Sequence, residues 1–244
     1  MKRSTKIKNY INKVLSLANL YLQKRNPGVD PTEQLVTSLN HFNINYVIDI
    51  GANVGQFSVE ILDNGFKGEI ISFEPLTSAY SELVKNSKKY NNWTIYPKSA
   101  IGNTDGEIEI NISNNSVSSS ILNISKKHID ASNESRYIGI EKVRIHKLDS
   151  LFSKEQLKDK NIFIKIDTQG FEWQVLEGAS NILEDTKGLL CELSFDKLYE
   201  GQHLWQEIIT KLEQYNFKLW SLQYGLTDKT TGQTLQCDAI FYKN

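Results

Sequence analysis

At 244 residues, with Lys+Arg 28 against Asp+Glu 29 and a formal net charge of −1, the chain can bury a sizeable core and carries no global field to recruit nucleic acid or an acidic membrane. Its two cysteines, Cys191 and Cys237, lie in separate apolar segments with neither disulfide-scaffold nor metal-ligand spacing, so buried free thiols, a reducing cytoplasmic setting and no metal site are expected. The organisation expected is an N-terminal helical extension over 1–43 and one α/β domain over 44–244, without internal repeats.

From Met1 to Val29 there is no acidic residue, whereas Lys2, Arg3, Lys6, Lys8, Lys13, Lys24 and Arg25 are basic. Ile7, Ile11, Val14, Ala18 and Leu22 recur at helical spacing, which predicts a basic amphipathic helix. Its apolar face has two readings: packing on the core or on a sister subunit of a homodimer, which carries the greater weight, or a weak contact with a membrane surface. The least polar run, 14–23, is too short to span a bilayer, and no small-residue cleavage site follows it, so no signal peptide is expected. Asp30-Pro31-Thr32-Glu33 then offers an N-cap, a proline at the first helical position and a capping-box acid, opening a second helix that runs to about Phe42.

The stretch 46–74 is the most informative. Residues 46–50 form a short β-branched run bounded by glycine, as expected of a strand buried on both faces of a parallel sheet. Gly51 and Gly55 allow a sharp turn and a close backbone approach to a ligand at a helix N-terminus. The run 69–73 predicts a second strand with Glu74 at its tip, about 20 residues past the glycines, where an acid holds a ribose by its two hydroxyls. The turn Gly51-Ala52-Asn53-Val54-Gly55 lacks the Gly-x-Gly-x-x-Gly spacing of a pyrophosphate site, which disfavours a dinucleotide-dependent dehydrogenase. Asp49 before it would repel a phosphate and attract the amino group of a zwitterion, a pattern that S-adenosylmethionine fits. A glycine turn that binds nothing is the bland alternative.

Next, 77–89 carries Tyr80, Leu83 and Val84 at helical spacing, and 93–96 reads as a third strand. Small residues in 97–102, Ser99 and Ala100 among them, leave room for a flat base. Residues 107–112 and 142–146 alternate as half-exposed strands, and the polar stretch 113–120 between them is either a cover for the site or an ordinary solvated loop. In 161–172 the apolar residues demand a central strand, yet Lys165 interrupts them and Asp167 follows on the same face. Burying an ammonium ion alone would cost several kcal/mol, so Lys165 needs Asp167, Glu172 or Glu192 as a partner. The pair is either a structural ion pair or part of a site at the strand tip, where such sheets place their ligands. A helix over 172–183, a strand over 188–195 holding Glu192, a loop ending on His203, a helix over 204–215 and strands over 217–222 and 238–242 complete the pattern. The alternation predicts an α/β, doubly wound, seven-stranded, mainly parallel sheet with an antiparallel last strand, plus the N-terminal helices.

Four segments carry a resemblance: Asp49-Ile-Gly51-Ala-Asn53-Val-Gly55-Gln-Phe57-Ser, Phe73-Glu74-Pro75, Lys165-Ile-Asp167-Thr-Gln169-Gly170-Phe-Glu172, and the region from Glu192 through Tyr199-Glu200-Gly201. Over about 46–244 they make the chain similar to class I, Rossmann-like S-adenosylmethionine-dependent methyltransferases of the FkbM family. That family usually has Glu where Gln169 stands. The resemblance implies methyl transfer to a hydroxyl oxygen of a sugar, glycan or natural-product acceptor. It implies that Asp49, Gly51, Ala52, Asn53 and Gly55 surround the methionine part, that Glu74 binds the ribose, and that Phe57 and Pro75 also belong to the cofactor-binding set. It further implies that Ser99 and Ala100 border the adenine and that Asp167 faces the sulfonium and the acceptor.

A sugar hydroxyl is a poor nucleophile until a base takes its proton. Asp167, Glu192 and His203 are the candidates; Lys165 could take the proton if neutral, or as a cation orient Asp167 and stabilise the forming alkoxide. Solvated or capping roles suffice for His41, His128 and His146. Asp167 and Glu192 without a third ligand are weak grounds for a divalent metal, and none is expected. Two alternatives stand beside methyl transfer to a sugar: a non-catalytic nucleotide-binding protein, which the intact Asp49, Gly51, Gly55 and Glu74 disfavour, and a methyltransferase with a non-sugar acceptor. Nucleobase methylation is disfavoured, because Asp167-Thr168-Gln169-Gly170 occupies the place of an Asn/Asp-Pro-Pro-aromatic clamp, and no nucleic-acid partner is expected.

Overall fold

The computed structural model describes residues 3–18, 20 and 25–243. Helix α1 (Arg3–Leu15) continues into a short 3-10 turn, Ser16–Ala18. Leu22, Lys2 and Lys24, which belong to the expected basic helix, and the end of the 14–23 run lie outside the described residues. The expected seating of the apolar face on the core is not found: Ile7, Val14 and Leu17 are 56%, 54% and 89% exposed. Helix α2 (Pro31–His41) begins as expected, with Asp30 accepting the Glu33 amide at 2.9 Å and Pro31 in the first turn. Leu35, Val36 and Leu39 then bury its inner face. Among the described residues no helix is long and apolar enough to cross a membrane.

Ten strands follow: β1 (Tyr46–Ile50), β2 (Glu69–Phe73), β3 (Trp93–Ile95), β4 (Ala100–Ile101), β5 (Gly106–Ser113), β6 (Tyr137–His146), β7 (Ile162–Ile166), β8 (Gly188–Ser194), β9 (Lys218–Tyr224) and β10 (Gln236–Tyr242). Seven make the main sheet in the order β3-β2-β1-β7-β8-β10-β9. Pairings from β3 through β8 are parallel, and β10 runs antiparallel to both β8 and β9, as predicted. The strand order reverses between β1 and β7, so the ligand crevice is expected at their C-terminal ends. Both strands read as apolar runs because both faces are covered: Val47, Ile48, Ile162, Phe163, Ile164 and Ile166 are all 0% exposed.

The helices between and after the strands are α3 (Gln56–Asp63), α4 (Thr77–Ser87), α5 (Lys126–Ala131), α6 (Leu148–Leu151), α7 (Lys154–Leu157), α8 (Glu172–Glu177), α9 (Ser180–Asp185) and α10 (Trp205–Gln214). The single helix expected over 172–183 is broken at Gly178, where a Cβ would stand 1.8 Å from the carbonyl oxygen of Gly102. Backbone contact there bends the chain. The two half-exposed strands pair with each other and with β4 into a separate small sheet, β4-β6-β5. Ile110, Val143 and Ile145 pack this sheet against Leu76, Ala79 and Phe171, which sets it beside the crevice.

Candidate active site

The chain leaves β1 through Gly51 at φ +74°, where a Cβ would stand 1.9 Å from the backbone oxygen of Asp167. Glycine is what allows the turns after β1 and β7 to touch. Gly55, at φ +94°, precedes α3, and a Cβ there would strike the Trp93 ring at 2.4 Å. Between them the Asn53 amide donates to Glu74 Oε2 at 2.8 Å, while the Leu76 amide donates to Oε1 at 2.9 Å. Glu74 is thereby pinned at the tip of β2, 4% exposed. Burial pushes its carboxyl up to about 7, against the pull of those two amides.

These turns open onto a cavity of about 410 Å³, within the usual range for a small-molecule site. Gly51, Ala52, Asn53, Phe57, Glu74, Pro75, Ser99, Ala100 and Asp167 all line it, whereas Asp49 and Gly55 do not. The residues present fit an adenosyl cofactor. Glu74 has used two of roughly four lone-pair directions and faces the cavity with the rest. Ala52, Ser99 and Ala100 keep one wall small, and Leu76, Ile101 and Ile121 make it apolar. The polar stretch 113–120 is a cover rather than a loop in solvent: Ser116, Val117 and Ser119 line the cavity, and Asn53 Nδ2 approaches Ser116 Oγ at 3.5 Å.

Asp49 has turned into the sheet. Its Oδ2 accepts from Ser58 Oγ and Ser72 Oγ, both at 2.9 Å, and Oδ1 lies 3.4 Å from Lys165 Nζ. It ties β1, β2 and α3 together and balances the lysine. Lys165 Nζ donates to the Gly51 carbonyl at 2.8 Å and stands 3.4 Å from Asp167 Oδ2. Burial alone would pull its ammonium pKa down, yet Asp167, Asp49 and Asp238 outweigh it and hold the group above its usual range. That direction favours a cationic Lys165 over a neutral base. Glu172 is not its partner: Oε1 accepts from the Thr168 amide, the Thr168 hydroxyl and the Gly170 amide at 3.0, 3.1 and 3.0 Å, clamping the loop after β7.

Gln169, at φ +56°, is the hub of that loop. Its Nε2 donates to Asp167 Oδ1 at 2.8 Å and to Glu192 Oε2 at 3.0 Å, and its Oε1 accepts from the Tyr199 hydroxyl at 2.9 Å. The Ser120 hydroxyl donates to its carbonyl at 2.6 Å. Glu192 also accepts from Gln236 Nε2 at 2.7 Å; burial, with Asp167, Glu172 and Asp238 nearby, raises its carboxyl well above the usual range. The sequence reading passes over Asp238. It sits on β10 opposite Glu192 and lines the cavity, and no described side chain is hydrogen-bonded to it. Burial and then Asp167 push it up to about 6, against Lys165. The available signal is an acid at the head of the apolar run 239–242 of the final strand.

The remaining histidines fall outside the cavity. His203 stacks on Trp173 with ring centroids 4.1 Å apart and meets Glu207 Oε1 at 2.8 Å, so its nitrogen belongs to the start of α10. His128 is buried rather than solvated, edge-on to Tyr199 at 5.1 Å, and burial lowers its pKa to about 4. Among the described residues no group of three or more His, Cys, Asp or Glu is arranged to hold a metal ion. Cys191 and Cys237 are buried free thiols.

The chain resembles several known proteins. It is similar to the 2-O-methyltransferase NoeI of Sinorhizobium fredii, at 27% identity over 162 residues, 64% of this chain and 66% of that protein. The match therefore spans just under two thirds of the relative's length. Among solved structures, an uncharacterized protein of Listeria monocytogenes serotype 4b has a TM-score of 0.49 at 11% identity, covering 88% of this chain and 67% of that one. A Streptococcus pneumoniae protein in complex with S-adenosyl-L-methionine has a TM-score of 0.48 at 10% identity, covering 86% and 72%. At those scores the fold assignment rests on the strand order itself, which is the class I, Rossmann-like one. The family profile described as Methyltransferase FkbM domain matches residues 49–219, from the acid before the glycine turn into β9, and the chain belongs to the FkbM family of S-adenosylmethionine-dependent methyltransferases.

Proposed function

We propose that this chain transfers the methyl group of S-adenosylmethionine to a hydroxyl oxygen of a sugar, glycan or natural-product acceptor. The observation that carries this reading is a single cavity joining the cradle of Gly51 and Glu74 to Asp167, Lys165 and Asp238. The likeness to a protein named as a 2-O-methyltransferase supports oxygen as the acceptor atom. The buried free thiols accord with a reducing, cytoplasmic setting.

S-adenosylmethionine supplies a methyl group on positively charged sulfur, open to in-line displacement. Glu74 would hold the ribose hydroxyls, Asn53 and Phe57 would flank the methionine part, and Ser99 and Ala100 would border the base. Asp167 is committed, with one oxygen on Gln169 and the other facing Lys165. Glu192 is engaged by Gln169 and Gln236. Asp238 has no such partner among the described residues, and at about 6 it can both accept a proton and release it near neutral pH. It is the carboxylate best placed to take the acceptor's proton. Lys165, held as a cation, would stabilise the alkoxide as it forms.

The test is incubation of the purified protein with S-adenosylmethionine and a panel of methyl glycosides, nucleotide sugars and oligosaccharides. Release of S-adenosylhomocysteine together with a methyl ether on the acceptor is expected. Methylation of nitrogen acceptors alone, or cofactor binding without turnover across the panel, would contradict the reading.

A further inference from the structure

Helix α1 leaves an apolar stripe in solvent, and its flanks say what covers it. At 100° per residue, Tyr10, Val14, Ile7 and Ile11 fall within an arc of about 100°, and Asn9 and Asn12 lie on the opposite side. Ile7, Tyr10, Ile11 and Val14 are 56%, 72%, 38% and 54% exposed, and Leu17 and Leu20 just beyond are also exposed. Lys8 falls about 60° beyond Ile11 and Lys13 about 60° beyond Tyr10, so both edges of the stripe are basic.

We propose that α1 lies in the surface of an anionic lipid bilayer, with Ile7, Ile11 and Val14 in the acyl boundary and Lys8 and Lys13 at the headgroups. Charge selects this occupant. No acidic residue occurs between Met1 and Val29, so a second copy of α1 laid on the stripe would set lysine edge against lysine edge. An anionic headgroup layer instead meets both edges with the opposite charge, while lysine stems reach up from an apolar bed. A nucleic acid would satisfy the lysines and leave the stripe in water. Arg25 takes no part, because it is paired with Asp30 at the start of α2. An apolar stripe plus a basic rim supplies the two signals that stable but reversible attachment requires.

The test is co-sedimentation of the full chain with large unilamellar vesicles of phosphatidylcholine, with and without roughly one quarter phosphatidylglycerol. Binding is expected on the anionic vesicles and little on the neutral ones, with release as ionic strength approaches roughly 1 M. Ile11→Glu/Val14→Glu and Lys8→Glu/Lys13→Glu should each lower the bound fraction about tenfold or more. Both should leave the melting temperature and S-adenosylhomocysteine binding unchanged, since these side chains are outside the core. Wild-type protein that stays in the supernatant with anionic vesicles, or Ile11→Glu/Val14→Glu that binds as wild type does, would overturn the proposal. So would a concentration-dependent dimer in sedimentation velocity that Ile11→Glu/Val14→Glu abolishes, which would assign the stripe to a second copy. Vesicle binding is read without turnover, so its failure is distinct from failure of the methyl-transfer reading.

Discussion

On the β3-β2-β1 side of the main sheet each buried acid has its own donors. Two serine hydroxyls serve Asp49 and two backbone amides serve Glu74. On the β7-β8-β10 side, Asp167 faces Lys165 and shares the Gln169 amide with Glu192, Glu192 also takes the Gln236 amide, and Asp238 receives neither amide. The first arrangement fixes Glu74 through both of its oxygens and Asp49 through Oδ2, while Asp49 Oδ1 faces Lys165 without a hydrogen bond. In the second, burial and then the neighbouring carboxylates raise the proton affinity of Glu192 and Asp238, as burial also does for Glu74. The two sides thus differ in how their acids are held, with donors on every acid of the first and none on Asp238 of the second, and both contribute lining to the cavity.

The comparison is broken most severely at Lys165, the cation that touches both sides. Lys165→Met leaves Asp49 and Asp167 facing each other without a counter-charge, and urea unfolding should show a loss of about 3–5 kcal/mol. Asp238→Asn should lower turnover with a responsive acceptor about 10²–10³-fold while S-adenosylhomocysteine affinity in calorimetry barely moves. His203→Gln, altered outside the cavity, should keep near-normal turnover. If Asp238→Asn keeps its rate and Asp167→Asn loses it, the proton acceptor moves to Asp167.

Glu74 sharpens the cofactor side through pH. Its folded pKa of about 7 lies above the ordinary glutamate value of 4.5, so the folded state binds the extra proton. That contribution is complete below about pH 4.5 and is lost as the pH rises through about 7, a fall of at most about 3 kcal/mol. Denaturation across that window should lose this part of its slope in Glu74→Gln. A milder effect on stability belongs to Gln169→Glu, which puts a carboxylate where an amide now bridges Asp167 and Glu192. It should cost about 1–2 kcal/mol of stability at pH 8 and much less at pH 5, where the added acid can stay protonated.

What can be read in the sequence is what lies at fixed local offsets. Gly51, Gly55 and Glu74 announce themselves through the strand, turn and strand around them, and residues at φ +74° and +94° are glycines for a steric reason. β7 is legible because a lysine inside an apolar strand demands a partner. Asp49 is the instructive case: its position is legible but not its direction, since the hydroxyls that claim it come from α3 and β2. Asp238 is set by the antiparallel register of β10 on β8, a long-range fact. His203 follows the strand that holds Glu192, but Trp173 from α8 and Glu207 from α10 take it away from the cavity. The exposed stripe of α1 removes seating on the core from its sequence readings, because burial, unlike periodicity, depends on what the rest of the chain offers.

The most direct measurement is titration calorimetry of the wild-type protein with S-adenosylhomocysteine and S-adenosylmethionine, with NAD as the control and Glu74→Ala alongside. If Glu74 and the glycine turn hold the cofactor, both adenosyl sulfur compounds bind at micromolar concentration, NAD does not, and folded Glu74→Ala loses about tenfold or more, as expected for hydrogen bonds to a charged group. Absence of binding, preference for NAD, or unchanged affinity in Glu74→Ala would contradict that assignment.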